Sequence, residues 1–158
     1  MVIEYNKKYK KEAVILIEEL QKYIASIDKE KYNRFTKGYG GKYLDKTLRK
    51  LKNHNGKMFL YEEDGKILGL IAGIVNNEEI DVYDFKAPKR GRILELIVTE
   101  NTRGKGIGKI LIKHMEEYLK SIGCKAVLLE VFGYNDNAIK FYTKNEYHNR
   151  LHDMIKLI

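Results

Sequence analysis

The segment from Ile93 to Ile122 limits what this chain can fold into more than any other stretch of it. Ile93, Leu94, Leu96, Ile97 and Val98 form a nearly unbroken apolar run, as a strand covered on both faces requires. The turn Arg103-Gly104-Lys105-Gly106-Ile107-Gly108 follows. Beyond it Ile107, Ile110, Leu111, Met115, Tyr118, Leu119 and Ile122 recur at helical spacing, with Lys109, Lys113, Glu116, Glu117 and Lys120 on the opposite face. After Gly123 a second apolar run begins, Ala126 to Leu129 and then Val131 and Phe132. Strand, helix and strand of these lengths predict a crossover unit with parallel strands.

The turn carries the chemistry. Glycines at 104, 106 and 108 let backbone approach a ligand closely. The helix starting there offers unpartnered amides and a positive dipole end, and Arg103, Lys105 and Lys109 add three cations. That combination predicts a diphosphate site. The spacing excludes two other phosphate loops. Gly104-Lys105 is followed by glycine rather than Ser or Thr, and a single residue, Ile107, separates the last two glycines where the dinucleotide fingerprint has two.

Leu96-Ile97-Val98 with Arg103-Gly104-Lys105-Gly106-Ile107-Gly108 resembles the acetyl-CoA loop of the GNAT superfamily of N-acetyltransferases, whose signature is Arg-x-x-Gly-x-Gly. Asn135-Asp136-Asn137-Ala138-Ile139-Lys140-Phe141-Tyr142 is similar to that family's Asn-x-x-Ala-x-x-Phe-Tyr helix. The two motifs stand in the family's order. The resemblance runs from about Leu60 to Tyr147 and is weak before that. It implies a mixed α/β fold, with helices flanking a mixed sheet whose two parallel central strands splay to admit the pantetheine arm of acetyl-CoA.

The resemblance also implies roles. Ile97, Val98, Arg103, Gly104, Lys105, Gly106, Ile107, Gly108, Lys109 and Asn135 are expected to bind the cofactor, with a strand bulge near Ile97 and Val98 freeing an amide for the thioester carbonyl. Tyr142 aligns with the tyrosine that protonates the departing thiolate, a transfer that a phenol of pKa ~10 makes at little cost. An amine acceptor with pKa ~10.4 is neutral at pH 7 about once in 2,500, a cost of roughly 4.6 kcal/mol, so its proton needs a route. Glu95 in the central strand is the candidate base, directly or through water. Cys124, at the far end of a helix spanning roughly 24 Å at 1.5 Å per residue, lies out of reach of the thioester. Direct transfer in a ternary complex is therefore expected. The usual Gly-Phe pair after the tyrosine helix is replaced by Glu146-Tyr147, and Asn145 is the expected bearer of the left-handed turn.

A chain of 158 residues with 44 % hydrophobic and 33 % charged residues suits one globular domain. Its expected halves are an acceptor-side helical region, about 8–55, and a cofactor-binding core, about 57–147. The longest apolar run, Ile67 to Val75, is too short for a bilayer, and a lone cysteine suits a reducing cytoplasm. The net charge of +8 comes mostly from dispersed lysines, which argues against nucleic-acid binding and for attraction of a polyanionic cofactor. His148 and His152 stand four apart without further ligands, so no metal is expected.

The resemblance implies that the helical first third forms one wall of the acceptor site, so specificity is expected there. Helices are expected from about Lys8 to Ser26, from Asp28 to Phe35 capped by Asp28, and over Leu44 to Leu51. Tyr32, Phe35, Tyr39 and Tyr43 are candidates to touch the acceptor. Asp64-Gly65 predicts a hairpin between Lys57–Glu63 and 67–76. Glu78, Glu79, Asp81 and Asp84 read either as a solvated connection or as an acidic rim for a cationic acceptor. Met154 to Ile158 read as a last strand, pairing with the sheet or with a second subunit in a homodimer. The leading reading is an acetyl-CoA-dependent N-acetyltransferase of undefined amine. The alternatives are a non-catalytic acyl-CoA-binding regulator and, third, a nucleic-acid binder.

Overall fold

A computed structural model describes residues 1–76 and 88–156. Its strands are β1 (Val2–Glu4), β2 (Lys57–Glu63), β3 (Lys66–Asn76), β4 (Arg90–Val98) and β5 (Ala126–Leu128). Its α-helices are α1 (Lys10–Ile27), α2 (Tyr39–Asn53), α3 (Ile107–Ser121) and α4 (Asp136–Lys144). The strands form one sheet in sequence order, antiparallel except for the parallel pair β4 and β5.

Alternation along the strands splits the core in two. Met58, Leu60, Leu70, Ala72 and Ile74 face Ala13, Leu16 and Ile17 of α1 and Leu44 and Leu51 of α2. Phe59, Ile71, Val75 and Ile93 face Leu111, Ile112, Met115 and Leu119 of α3. The stripe read from the sequence is thus the buried face of α3, except that Ile110 is exposed. Asp64-Gly65 closes the β2–β3 hairpin with both residues left-handed.

Three expectations fail. Residues 28–35 form no helix: Asp28 ends α1 rather than starting a new one, and Lys31 is left-handed at φ 57°. The Asp28 carboxylate instead accepts from the amides of Glu30 and Asn33, the Asn33 side chain and the Tyr134 hydroxyl. A side chain that ties down local amides competes with helical bonding, and only Tyr32 and Phe35 offer apolar surface for a stripe. The second correction concerns the turn after α4. Asn145 keeps a negative φ of −103°, and Glu146 itself takes the left-handed conformation at φ 67°. Amides of Glu146 and Tyr147 donate to the carbonyls of Thr143 and Tyr142, the paired bonds of a Schellman motif. That turn survives without glycine, at about 1 kcal/mol of local strain. Third, residues 154–156 are not in a strand, while Leu157 and Ile158 lie outside the described residues, as do Glu78, Glu79, Asp81 and Asp84.

Candidate active site

The crossover β4–α3–β5 sets the site. β5 pairs with β4 over Arg90↔Ala126, Gly91↔Val127 and Arg92↔Leu128 only, while β4 runs on to Val98. Beyond Arg92 the two parallel strands part. The expected run through Val131 and Phe132 leaves the sheet there. An Arg92–Glu130 ion pair at 2.8 Å spans the opening, with the glutamate exposed, so it contributes little to stability.

The bulge on β4 lies three residues earlier than the sequence suggests. Ile93 pairs with Gly73 and Glu95 with Ala72, so Leu94 is an extra residue. Its effect follows from period two: one added residue turns everything after it to the other face. Ile93 packs toward α3 and Leu94 toward α1 and α2. Strict alternation would then aim Glu95 at α3. With the bulge it faces α2 instead, where the Tyr43 hydroxyl donates to its carboxylate. Leu96 then returns to the α3 side and Ile97 to the α1–α2 side.

Glu95 sits where two cavities meet. One, of about 240 Å³, runs along the parting strands and is bounded by Tyr43, Lys50, Arg92, Leu94 and Glu130. The other, of about 330 Å³, lies between α1, the 28–38 loop and α2. Glu95 and Tyr43 line both. Burial pushes the Glu95 carboxyl up to about 7, against the opposing pull of the Tyr43 hydrogen bond and the Lys50 charge. The Tyr43 phenol is raised in turn, first by burial and then by the Glu95 charge beside it.

At the end of β4 the chain turns through Glu100–Thr102 into the glycine loop. Gly104 and Gly106 are left-handed at φ 82° and 83°, with open space where a Cβ would stand. Gly106 caps α3, whose first amides face outward without intrahelical partners. Lys105 and Lys109 are exposed beside them. Arg103 is turned toward α1. Its Nε donates to the Val98 carbonyl at 3.1 Å, and its guanidinium lies 3.8 Å from Glu19 and over the Tyr23 ring. It braces the loop against α1. Glu19 completes the brace by accepting from the Glu100 amide and the Thr99 hydroxyl. Gly108 lets α4 come close: a Cβ there would stand 3.2 Å from the Phe141 ring.

Asn135 is spent on structure as well. Its side-chain oxygen caps α4 through the Ala138 amide and accepts from the Tyr23 hydroxyl, leaving the residue 9 % exposed. On α4 the Tyr142 ring packs edge-on between Phe141 and Tyr147. Burial, followed by the Glu95 charge, pushes its phenol up to about 12, so it is no phenol of ordinary acidity. Cys124 is buried against α3, and burial raises its thiol too.

Glu19, Tyr23 and Tyr134 escape sequence reasoning, since each acts across more than 75 residues and shows no local pattern. His148 and His152 lie outside any helix, so their spacing does not bring them to one face.

The acetyltransferase (GNAT) family model matches residues 21–147, and the chain belongs to that family. Acetyltransferase SG1711 of Sodalis glossinidius is 38 % identical over 100 residues, covering 63 % of this chain and 62 % of that protein. N-alpha-acetyltransferase 60 of Xenopus tropicalis is 29 % identical over 113 residues, which is 70 % of this chain and 40 % of that one. The chain therefore spans between two-fifths and about three-fifths of these relatives' lengths. The BH1408 protein from Bacillus halodurans, solved as a mutant, superposes with a TM-score of 0.86 over 100 % of this chain and 99 % of its own, at 18 % identity, a likeness of fold alone.

Proposed function

We propose that the whole chain is one N-acetyltransferase unit, moving an acetyl group from acetyl-CoA to an amine by direct attack in a ternary complex. Residues of about 8–55 form the acceptor side and about 57–147 the cofactor side. One observation carries the reading: the bulge at Leu94 turns Glu95 onto the acceptor side, at the junction of two cavities and beside the opening between β4 and β5.

The diphosphate would rest on the outward amides of α3 with Lys105 and Lys109, and the pantetheine arm would lie along the unpaired edge of β4. The acceptor's nitrogen lone pair attacks the thioester carbonyl carbon as Glu95 takes its proton. A carboxylate titrating near 7 is matched to that task at neutral pH. The carbon–sulfur bond then breaks and the sulfur keeps the electron pair. Tyr142, raised to about 12, would protonate a thiolate of ordinary pKa uphill. The two residues are coupled, however. Once Glu95 has gained the amine's proton it is neutral, and the second cause of Tyr142's weak acidity is gone. The proton gained at one end thus eases proton loss at the other.

Free-thiol release from acetyl-CoA with a panel of amines tests the proposal. The expected result is amine-dependent release with intersecting double-reciprocal lines. Parallel lines would contradict direct transfer. Tight acetyl-CoA binding without release to any amine would return the chain to a regulatory reading.

A further inference from the structure

The cavity between α1, the 28–38 loop and α2 has an unusual wall for a site that takes cations. Ile17, Leu20 and Ile24 of α1 form one side, and Tyr32, Tyr39 and Tyr43 the other. Among the described residues its lining carries two charges, Glu95 and Arg34, and the remaining side chains are neutral, Gln21, Asn33 and Thr36 being polar. Tyr32 is 66 % and Tyr39 39 % exposed, so the aromatic wall opens to solvent, while the half-buried Glu95 lines the same cavity. Tyr39 and Tyr43 stand as a tilted pair with centroids 5.9 Å apart.

We infer that the acceptor is a monoamine on an apolar or aromatic body, seated with its body between the α1 aliphatics and the tyrosines and its nitrogen at Glu95. This rests on the acetyltransferase reading above. The chemistry is complementary at both ends. Aromatic faces draw in an ammonium group and then cover the carbon skeleton behind it, and the one carboxylate, Glu95, receives one amine. A polycation such as a polyamine or aminoglycoside would place its further charges against Ile17, Leu20, Ile24 and Arg34, with only the neutral Gln21, Asn33 and Thr36 to receive them. That arrangement costs desolvation without compensation. Two sources supply the same chemistry: a small arylalkylamine, or the amino terminus of a polypeptide that begins with an apolar residue.

The experiment compares phenethylamine, spermidine, kanamycin and two short peptides, one beginning with leucine and its counterpart with aspartate, in the thiol-release assay. Calorimetry of phenethylamine on the CoA-saturated protein reads the cavity without turnover. Phenethylamine or the leucine peptide is expected to exceed spermidine and kanamycin at least tenfold in kcat/KM. Whichever of the two is faster identifies the source. Tyr39→Ala, at an exposed position, is expected to raise the preferred amine's KM about tenfold with kcat changed less than twofold, and to weaken phenethylamine binding equally. Preference for spermidine or kanamycin, or a Tyr39→Ala variant with unchanged KM and binding, would overturn the inference. Should no amine release thiol while phenethylamine still binds and Tyr39→Ala weakens it, the proposed activity falls and the cavity assignment stands. Absence of both binding and release overturns both.

Discussion

The two halves of the site are built on different physics. The proposed cofactor half is local: a strand end, the connection 99–106 and a helix start lie within Leu96 to Lys109, and backbone amides would do the holding. The acceptor half is assembled at long range. Glu95 on β4 meets Tyr43 on α2, Asp28 meets Tyr134, and Tyr23 meets Asn135, contacts separated by 52 to 112 residues. A site made of backbone tolerates changes in the rest of the chain. One made of buried side chains ties activity to stability.

The largest expected effect follows from that tie. Glu95→Gln removes the proposed base and should lower kcat/KM by about 10²- to 10⁴-fold at pH 8, the range for a positioned general base. It should also stabilise the fold. The Glu95 carboxyl moves from 4.5 to about 7 on burial, so between those values the folded state holds a proton that the unfolded state has lost. Stability falls as pH rises through that window, by on the order of 3 kcal/mol once pH exceeds 7. Glutamine escapes the penalty and still accepts from Tyr43. Urea unfolding at pH 4 and pH 8 checks this. The variant should match the parent at pH 4 and exceed it at pH 8, and a less stable variant at pH 8 would show that Glu95 is not paying for burial.

On the cofactor side, two glycines share one conformation in different places. Gly65 in the hairpin and Gly106 at α3 have φ of 73° and 83°, and neither has a neighbour within 4 Å of a built Cβ. Alanine at either should cost about 1–2 kcal/mol of stability from left-handed strain. Of the two, 106 alone stands at the proposed diphosphate site, at the start of α3. Gly106→Ala is therefore expected to weaken acetyl-CoA binding about tenfold or more, and Gly65→Ala to leave it unchanged. Equal affinities in titration calorimetry would mean that the loop does not hold the cofactor.

The same contrast explains what the sequence disclosed. The α3 stripe, the glycine loop and the Asp64-Gly65 hairpin are written in residues a few positions apart, and each stands where its spacing predicts. Glu95 stands out by its place in the central strand. The device that aims it, an extra residue at Leu94, leaves no trace in an apolar run with no alternation to interrupt. Asp28 reads as a helix cap because capping and loop-tying use the same short carboxylate. Arg103 and Asn135 fit the motifs by position, yet their side chains brace α1 and cap α4.

Tyr142→Phe probes the coupling between the halves. The leaving thiolate is stable enough to depart without help, so the expected loss in kcat is about tenfold to a hundredfold, below that of Glu95→Gln. The loss should shrink with acceptors whose attack, rather than thiolate departure, limits turnover. Steady-state rates across amines of graded basicity would show this. A uniform loss across the series would place Tyr142 in packing against Phe141 and Tyr147 rather than in proton transfer.

Tyr43→Phe should have the smallest effect and the most specific one. Its hydroxyl donates to Glu95, and that bond favours the ionised carboxylate against burial. The other groups facing Glu95 are Lys50, which also favours the ionised form, and Tyr142, whose phenol stays neutral throughout the range of interest. With the phenylalanine ring in place burial is unchanged and one stabilising donor is lost, worth about 1–1.5 kcal/mol, or about one pH unit. The acid limb of kcat/KM, expected near pH 7 in the parent, should move up by about that much, while the rate well above the limb stays within a few-fold. A variant that lost rate equally at every pH would assign Tyr43 to the shape of the acceptor cavity alone, and the hydrogen bond would then have no part in setting the base.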